Sequence, residues 1–189
     1  MMDFRMNQAI NKPFFSLPLC FVLGITLSGN VQANTPDPEQ RELFRSTYAL
    51  MKQGRTDKAR PHFGALTNYP LYPWLEYEFF IRNNEETTDL TLLDFAARNP
   101  GSVMSDGIYE KLAGRMVAKQ AWSRILDTLP DHTPLTSLQC IRLEAGINRE
   151  QAAGNATATL QQARAFWRAA DAALPAECNG MVALLEQQG

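Results

Sequence analysis

Apolar residues recur along this chain at three- and four-residue steps, the period of a helix face. Leu43, Thr47 and Leu50, flanked by Phe44, Tyr48 and Met51, predict a first helix. Gly54 stops it, and Thr56 is placed to cap a second helix carrying Ala59, Phe63 and Leu66. Tyr69-Pro70-Leu71-Tyr72-Pro73 reads as a rigid connector, with Pro73 as the first residue of the next helix. That helix carries Trp74, Leu75, Tyr77, Phe79, Phe80 and Ile81, apolar on nearly all sides, which predicts a position between neighbours. Thr88 caps a helix with Leu90, Leu93 and Ala97, closed by Asn99-Pro100-Gly101.

The same theme continues to the end. Met104, Ile108, Leu112 and Met116 form one stripe; Trp122, Ile125, Leu126 and Leu129 form another, ended by Pro130. Leu138, Ile141 and Ala145 form a third. Leu160, Ala163, Trp167, Ala170 and Leu174 make the cleanest stripe, ended by Pro175, and Cys178, Met181, Val182 and Leu185 the last. No segment alternates apolar and polar residues with period two, so no sheet is expected. Helices this short bury little alone, and stacking antiparallel pairs one on the next solves that problem. The expected fold is therefore all-α, an irregular tetratricopeptide-like superhelix without a strict 34-residue repeat, against the alternative of a compact helical bundle.

The first 33 residues stand apart. Arg5 and Lys12 precede a run of about 14 mostly apolar residues from Phe14 to Leu27, and Ser28-Gly29-Asn30-Val31-Gln32-Ala33 follows, the layout of a secretory signal cleaved after Ala33. A membrane anchor would need about 20 apolar residues, and Pro18 weakens a helix here. A lipoprotein signal at Cys20 is disfavoured, since Leu19 is large and the apolar run continues past the cysteine. The reading is an exported, periplasmic chain with no stable membrane anchor, its folded part spanning residues 34–189.

Composition narrows the chemistry. Eighteen basic against 20 acidic side chains give a net charge of -2, so there is no basic excess to attract nucleic acid. Once the signal is removed, Cys140 and Cys178 are the cysteines left, and an oxidising compartment allows one bridge between them, with two separate buried thiols as the alternative. His62 and His132 lack metal-ligand spacing to either cysteine, so no metal site and no cofactor are expected. Glu76 and Glu78, two apart on a helix, point in different directions and read as surface groups; Glu85-Glu86 reads as a solvated turn. Asn155-Ala156-Thr157 matches a glycosylation sequon, a short and common pattern. No nucleophile elbow, zinc-protease, phosphate-loop or dinucleotide motif occurs, and no catalytic residue is assigned.

Several segments, in order, resemble the soluble lytic murein transglycosylases of the bacterial periplasm. The most specific is the run from Leu66 through Tyr69-Pro70-Leu71-Tyr72-Pro73-Trp74-Leu75-Glu76-Tyr77, which is similar to the YPLYPYLEY signature of their N-terminal superhelical U domain. Tyr48 to Ala59, Leu93-Asp94-Phe95 with Asn99-Pro100, and Leu112-Ala113 with Ala121-Trp122 resemble neighbouring helix pairs. Gln139-Cys140, Phe166-Trp167 and Pro175-Ala176-Glu177-Cys178 match two cysteines flanking an aromatic-bearing helix; Asn179 stands where the family tends to have Asp. The resemblance implies a Cys140–Cys178 disulfide and a scaffold that brackets peptidoglycan glycan strands. It also implies that the chemistry lies elsewhere. The family's acid–base glutamate belongs to a Glu-Ser dipeptide in a lysozyme-like domain with a GLMQ-type motif, and neither occurs here. The expectation is an N-terminal scaffold region inactive by itself, against a free-standing periplasmic adaptor holding a protein or glycan. Met181, Val182, Leu184 and Leu185 in the last helix lead us to expect an apolar edge and self-association.

Overall fold

The computed structural model describes residues 37–83, 86–155 and 157–188. The signal segment with Cys20, Glu85 of the expected turn and Ala156 of the sequon lie outside them. Every regular element among the described residues is helical, and none is long and apolar enough to cross a membrane.

Helix α1 (Pro38–Lys52) starts under Asp37, whose carboxylate accepts the Glu39 N–H at 3.1 Å. Pro38 opens the helix, where its missing N–H costs nothing. Gly54, at φ 74°, turns the chain. The next helical run is α2 (Thr56–Ala59), a 3-10 turn (Arg60–His62) and α3 (Phe63–Leu66). Pro61 has no N–H to donate, which explains the tightened turn within this run. Thr56 does not cap it as expected. Thr56 is already the first helical residue, and its hydroxyl lies 3.4 Å from the Asn83 side-chain oxygen.

Pro73 is the second rather than the first residue of α4 (Tyr72–Arg82). This helix packs on α1 and α3, with Leu75 and Phe80 buried, while Trp74 stays 37% exposed. Thr88 caps α5 (Asp89–Arg98) as expected, accepting the Thr91 N–H at 3.2 Å. The buried face of α5 is Leu92, Phe95 and Ala96, not Leu90 and Ala97. Leu90 is 77% exposed, because Leu90-Thr91-Leu92-Leu93 offers two overlapping stripes and Phe80 selects the one that sets Phe95 against it, 5.4 Å between ring centres.

The stripes expected on α6 (Val103–Val117), α7 (Trp122–Thr128) and α8 (Thr136–Ala152) face the core. The stripe on α9 (Ala158–Arg168) is shorter than expected: the helix ends before Ala170 and Leu174, and Trp167 is 45% exposed. A 3-10 turn (Ala176–Cys178) leads into α10 (Asn179–Gln187). Met181 and Leu185 are buried there, so the expected apolar edge is reduced to half-buried Val182 and Leu184.

The helices stack in sequence. Tyr48 of α1 donates to Glu78 of α4, 30 residues on, at 3.3 Å. Lys111 of α6 donates to the Ile81 carbonyl of α4 at 2.9 Å, again 30 residues apart. Ser137 of α8 donates to Glu110 of α6 at 2.7 Å, 27 residues apart. Gly107 sits against Tyr77 just as Lys111 sits against Ile81, so α4 and α6 run parallel. The helices α1, α4, α6, α8 and α10 form one such series. Between them, α5 packs on α6, α7 on α6 and α8, and α9 on α8 and α10.

The core follows the stack as successive clusters. One centres on Met51, Leu66 and Leu75, a second on Phe95, Leu112 and Ile125, a third on Ile147, Ala163 and Met181. A bundle would gather its helices around one core. The chain is an α-superhelix of stacked helix pairs.

Candidate functional site

The segment from Tyr69 to Tyr77 joins the first helical layer to the next. Tyr69 is buried, its ring 4.9 Å from that of Phe44 in α1. Tyr72 meets the edge of Phe63, and Leu75 is fully buried. Pro70 and Leu71 are exposed, and Pro73 is half-buried at the helix start. Tyr77 lies against Gly107, where a Cβ would overlap its hydroxyl, and packs edge-on against Trp74 at 5.9 Å.

Glu76 and Glu78 are not the surface groups expected. Their side chains are mostly buried, because partners from other helices cover them. Glu76 receives both terminal nitrogens of Arg98, at 3.2 and 3.3 Å, and Arg98 also donates through Nε to Asp94 at 3.0 Å. The hydrogen bond to Glu76 raises the Arg98 pKa further. Glu78 takes Lys52 at 3.2 Å, Arg82 at 3.1 Å and the Tyr48 hydroxyl. Burial pushes the Tyr72 hydroxyl up, with Glu76 adding and Arg98 opposing. Burial likewise raises Tyr77, helped by Glu78 and Glu110. These residues clamp helices together, and both glutamates are occupied by partners from neighbouring helices.

Cys140 of α8 and Cys178 form a disulfide with 4.9 Å between their Cα atoms. Burial pushes the nearby Glu144 carboxyl up, and that carboxylate fills the space a Cβ on Gly180 would need. Among the described residues no three His, Cys, Asp or Glu side chains gather as a metal site.

A cleft of about 440 Å³ lies between α7 and α9 over α8. A second hollow at His132, Thr133 and Pro134 shares Asp131 and Gln139 with it. Gly146 brings α9 close: a Cβ there would press on the Thr159 methyl at 2.7 Å. Arg142 fixes the α7 side by donating to the Leu126 and Leu129 carbonyls, at 3.2 and 2.6 Å, and to Asp131. The sequence reading assigned none of this cleft. Its one legible signal was Gln139, Arg142, Gly146 and Arg149, spaced along one face of α8 beside the apolar stripe.

No family model matches the chain. It is similar to the soluble lytic murein transglycosylases of Escherichia coli strains K12 and O157:H7, each 25% identical over 120 residues. Those matches cover 61% of this chain and 18% of each relative, so the chain spans under a fifth of their length. Among solved structures it resembles the 70-kDa soluble lytic transglycosylase in complex with bulgecin A, with a TM-score of 0.65. The 70-kDa enzyme from Escherichia coli gives a TM-score of 0.66. In both, identity is 21%, with 80% of this chain and 24% of the other covered. The chain has a soluble lytic murein transglycosylase-like α-superhelical fold.

Proposed function

We propose that this chain is the N-terminal scaffold region of a soluble lytic transglycosylase acting on peptidoglycan, exported to the periplasm with cleavage near Ala33, and silent in catalysis by itself. What carries the reading is the asymmetry of the likeness: it runs through most of this chain and a minor share of each relative. The residues agree. The sequence contains no Glu-Ser dipeptide, and Glu76 and Glu78 are mostly buried and occupied by ion pairs that tie helices together.

The test is incubation of the purified, disulfide-bonded protein with murein sacculi. The expected result is co-sedimentation with the sacculi and no soluble anhydro-muropeptides above a blank. Release of such products overturns the silent-scaffold reading, and failure to sediment overturns the peptidoglycan assignment.

A further inference from the structure

We propose that Glu144 is a proton-operated latch between α8 and α10: α10 docks firmly while its carboxyl is protonated, and the contact loosens when it ionises. Glu144 stands on α8 one turn after Cys140, on the side that meets the third core cluster. Cys140, Leu143 and Ile147 around it all belong to that cluster or pack on it. Both Glu144 oxygens occupy the place a Cβ on Gly180 would take. Gly180 lies in the first turn of α10, two residues past Cys178 of the disulfide. The carboxyl is thus half-buried in the junction of the two helices, in a space that a residue without a side chain leaves for it.

Other shielded glutamates are matched. Glu76 has Arg98, Glu78 has Lys52 and Arg82, and Glu150 takes the N–H and hydroxyl of Thr159. Glu144 receives no hydrogen bond and no ion pair among the described residues. An anion there loses hydration and gains no donor in return. Burial accordingly pushes the carboxyl above its ordinary value of 4.5, and no charged neighbour contributes. The surrounding charges are engaged elsewhere or face water. On α10 and the turn before it they are Glu177 and Glu186, both exposed. On α9, Arg164 donates to the Gln188 carbonyl at the far end of α10, and Arg168 is exposed. Helices α6 and α7 meet α8 on its Leu138, Ile141 and Ala145 face, where Glu110 takes Ser137 and Arg142 donates to the α7 side. On α8 itself, Arg149 is exposed.

The folded protein therefore holds this proton more tightly than the unfolded chain does. Its contribution is fully present below the ordinary value of 4.5 and is lost as pH rises through the folded value. Paired carboxylates elsewhere respond to pH in the opposite sense, so the latch is read against Glu144→Gln, which keeps the neutral shape at every pH.

The experiment is a carbon NMR titration of the side-chain carboxyls in the full, disulfide-bonded protein, with native-state hydrogen exchange on wild type and Glu144→Gln. The Glu144 midpoint is expected above 4.5, with the α10 amides shifting at the same midpoint. The opening constant of α10 in wild type, divided by that in Glu144→Gln, is expected to rise with pH to a plateau. The rise is about tenfold for each unit by which the folded midpoint exceeds 4.5, and α6 shows none of it. Gly180→Ala denies the carboxyl its place and is expected to return the midpoint toward 4.5. Should that variant fail to fold, the glutamine comparison decides alone. A Glu144 midpoint at or below 4.5, α10 amides that do not follow it, or an opening ratio equal at acid and neutral pH overturns the latch. None of these outcomes depends on whether the protein sediments with sacculi.

Discussion

A Cβ placed on Gly107 of α6 would overlap the Tyr77 hydroxyl, whereas one placed on Gly114, on the same helix, meets nothing within 4 Å. The same substitution therefore carries opposite signs at the two sites. Gly114→Ala removes backbone freedom from the unfolded chain without a clash and is expected to stabilise by about 0.5–1 kcal/mol. Gly107→Ala gains the same helical term but overpacks against a half-buried ring, a cost of about 1–3 kcal/mol, so the net effect is destabilising. Urea unfolding of both variants checks this, and Tyr77→Phe in the Gly107→Ala background should recover part of the loss. Equal stabilisation by both alanines would show that Tyr77 is free to move. Nothing local in the sequence distinguishes the two glycines, because the difference comes from a tyrosine on another helix. Leu90 failed for a related reason: periodicity allowed two stripes on α5, and the choice between them was made by Phe80.

At the scale of elements, the sequence showed where helices exist better than where they stop. The residues after α9 are rich in alanine and favour helix, yet α9 ends at Arg168. The chain then has to bring Cys178 to Cys140, and extended backbone covers about twice the distance per residue that a helix does. Covalent and packing demands won over propensity. Both sulfurs are fully buried, and the bridge closes a separation of 38 residues. In the chain-entropy model a loop of that size is worth about 4 kcal/mol, with measured cases commonly about 2–4. Replacing both cysteines by alanine is expected to lower stability by that order in urea unfolding. It is also expected to speed amide exchange in α10 more than in α6. A double variant as stable as wild type would mean that the buried Met181 and Leu185 hold α10 without help.

The whole molecule is a stack whose repeat is geometric rather than textual. Offsets of 27 to 30 residues link α1 to α4, α4 to α6 and α6 to α8 through different chemistries: a tyrosine on a glutamate, a lysine on a carbonyl, a serine on a glutamate. The sequence shows no strict repeat because the pair of groups that bridges each layer to the next changes along the stack. The two walls of the α7–α9 cleft could not be paired from the sequence, since Leu126 and Phe166 come together only through α8. A stack of this kind distributes stability among neighbouring layers, so damage to one end need not spread to the other. Leu66 tests that. It is fully buried in the first cluster, which meets the second through Phe79. Leu66→Ala is expected to cost about 2–5 kcal/mol within its own layer. The layer containing α8 and α10 has its own cluster and a covalent tie, and it feels the change only through the layers between. Native-state hydrogen exchange should then show protection lost across residues 38–69 and retained in α8 and α10. If protection falls equally everywhere, the helices unfold as one cooperative unit, and nearest-neighbour stacking is the wrong description of this superhelix.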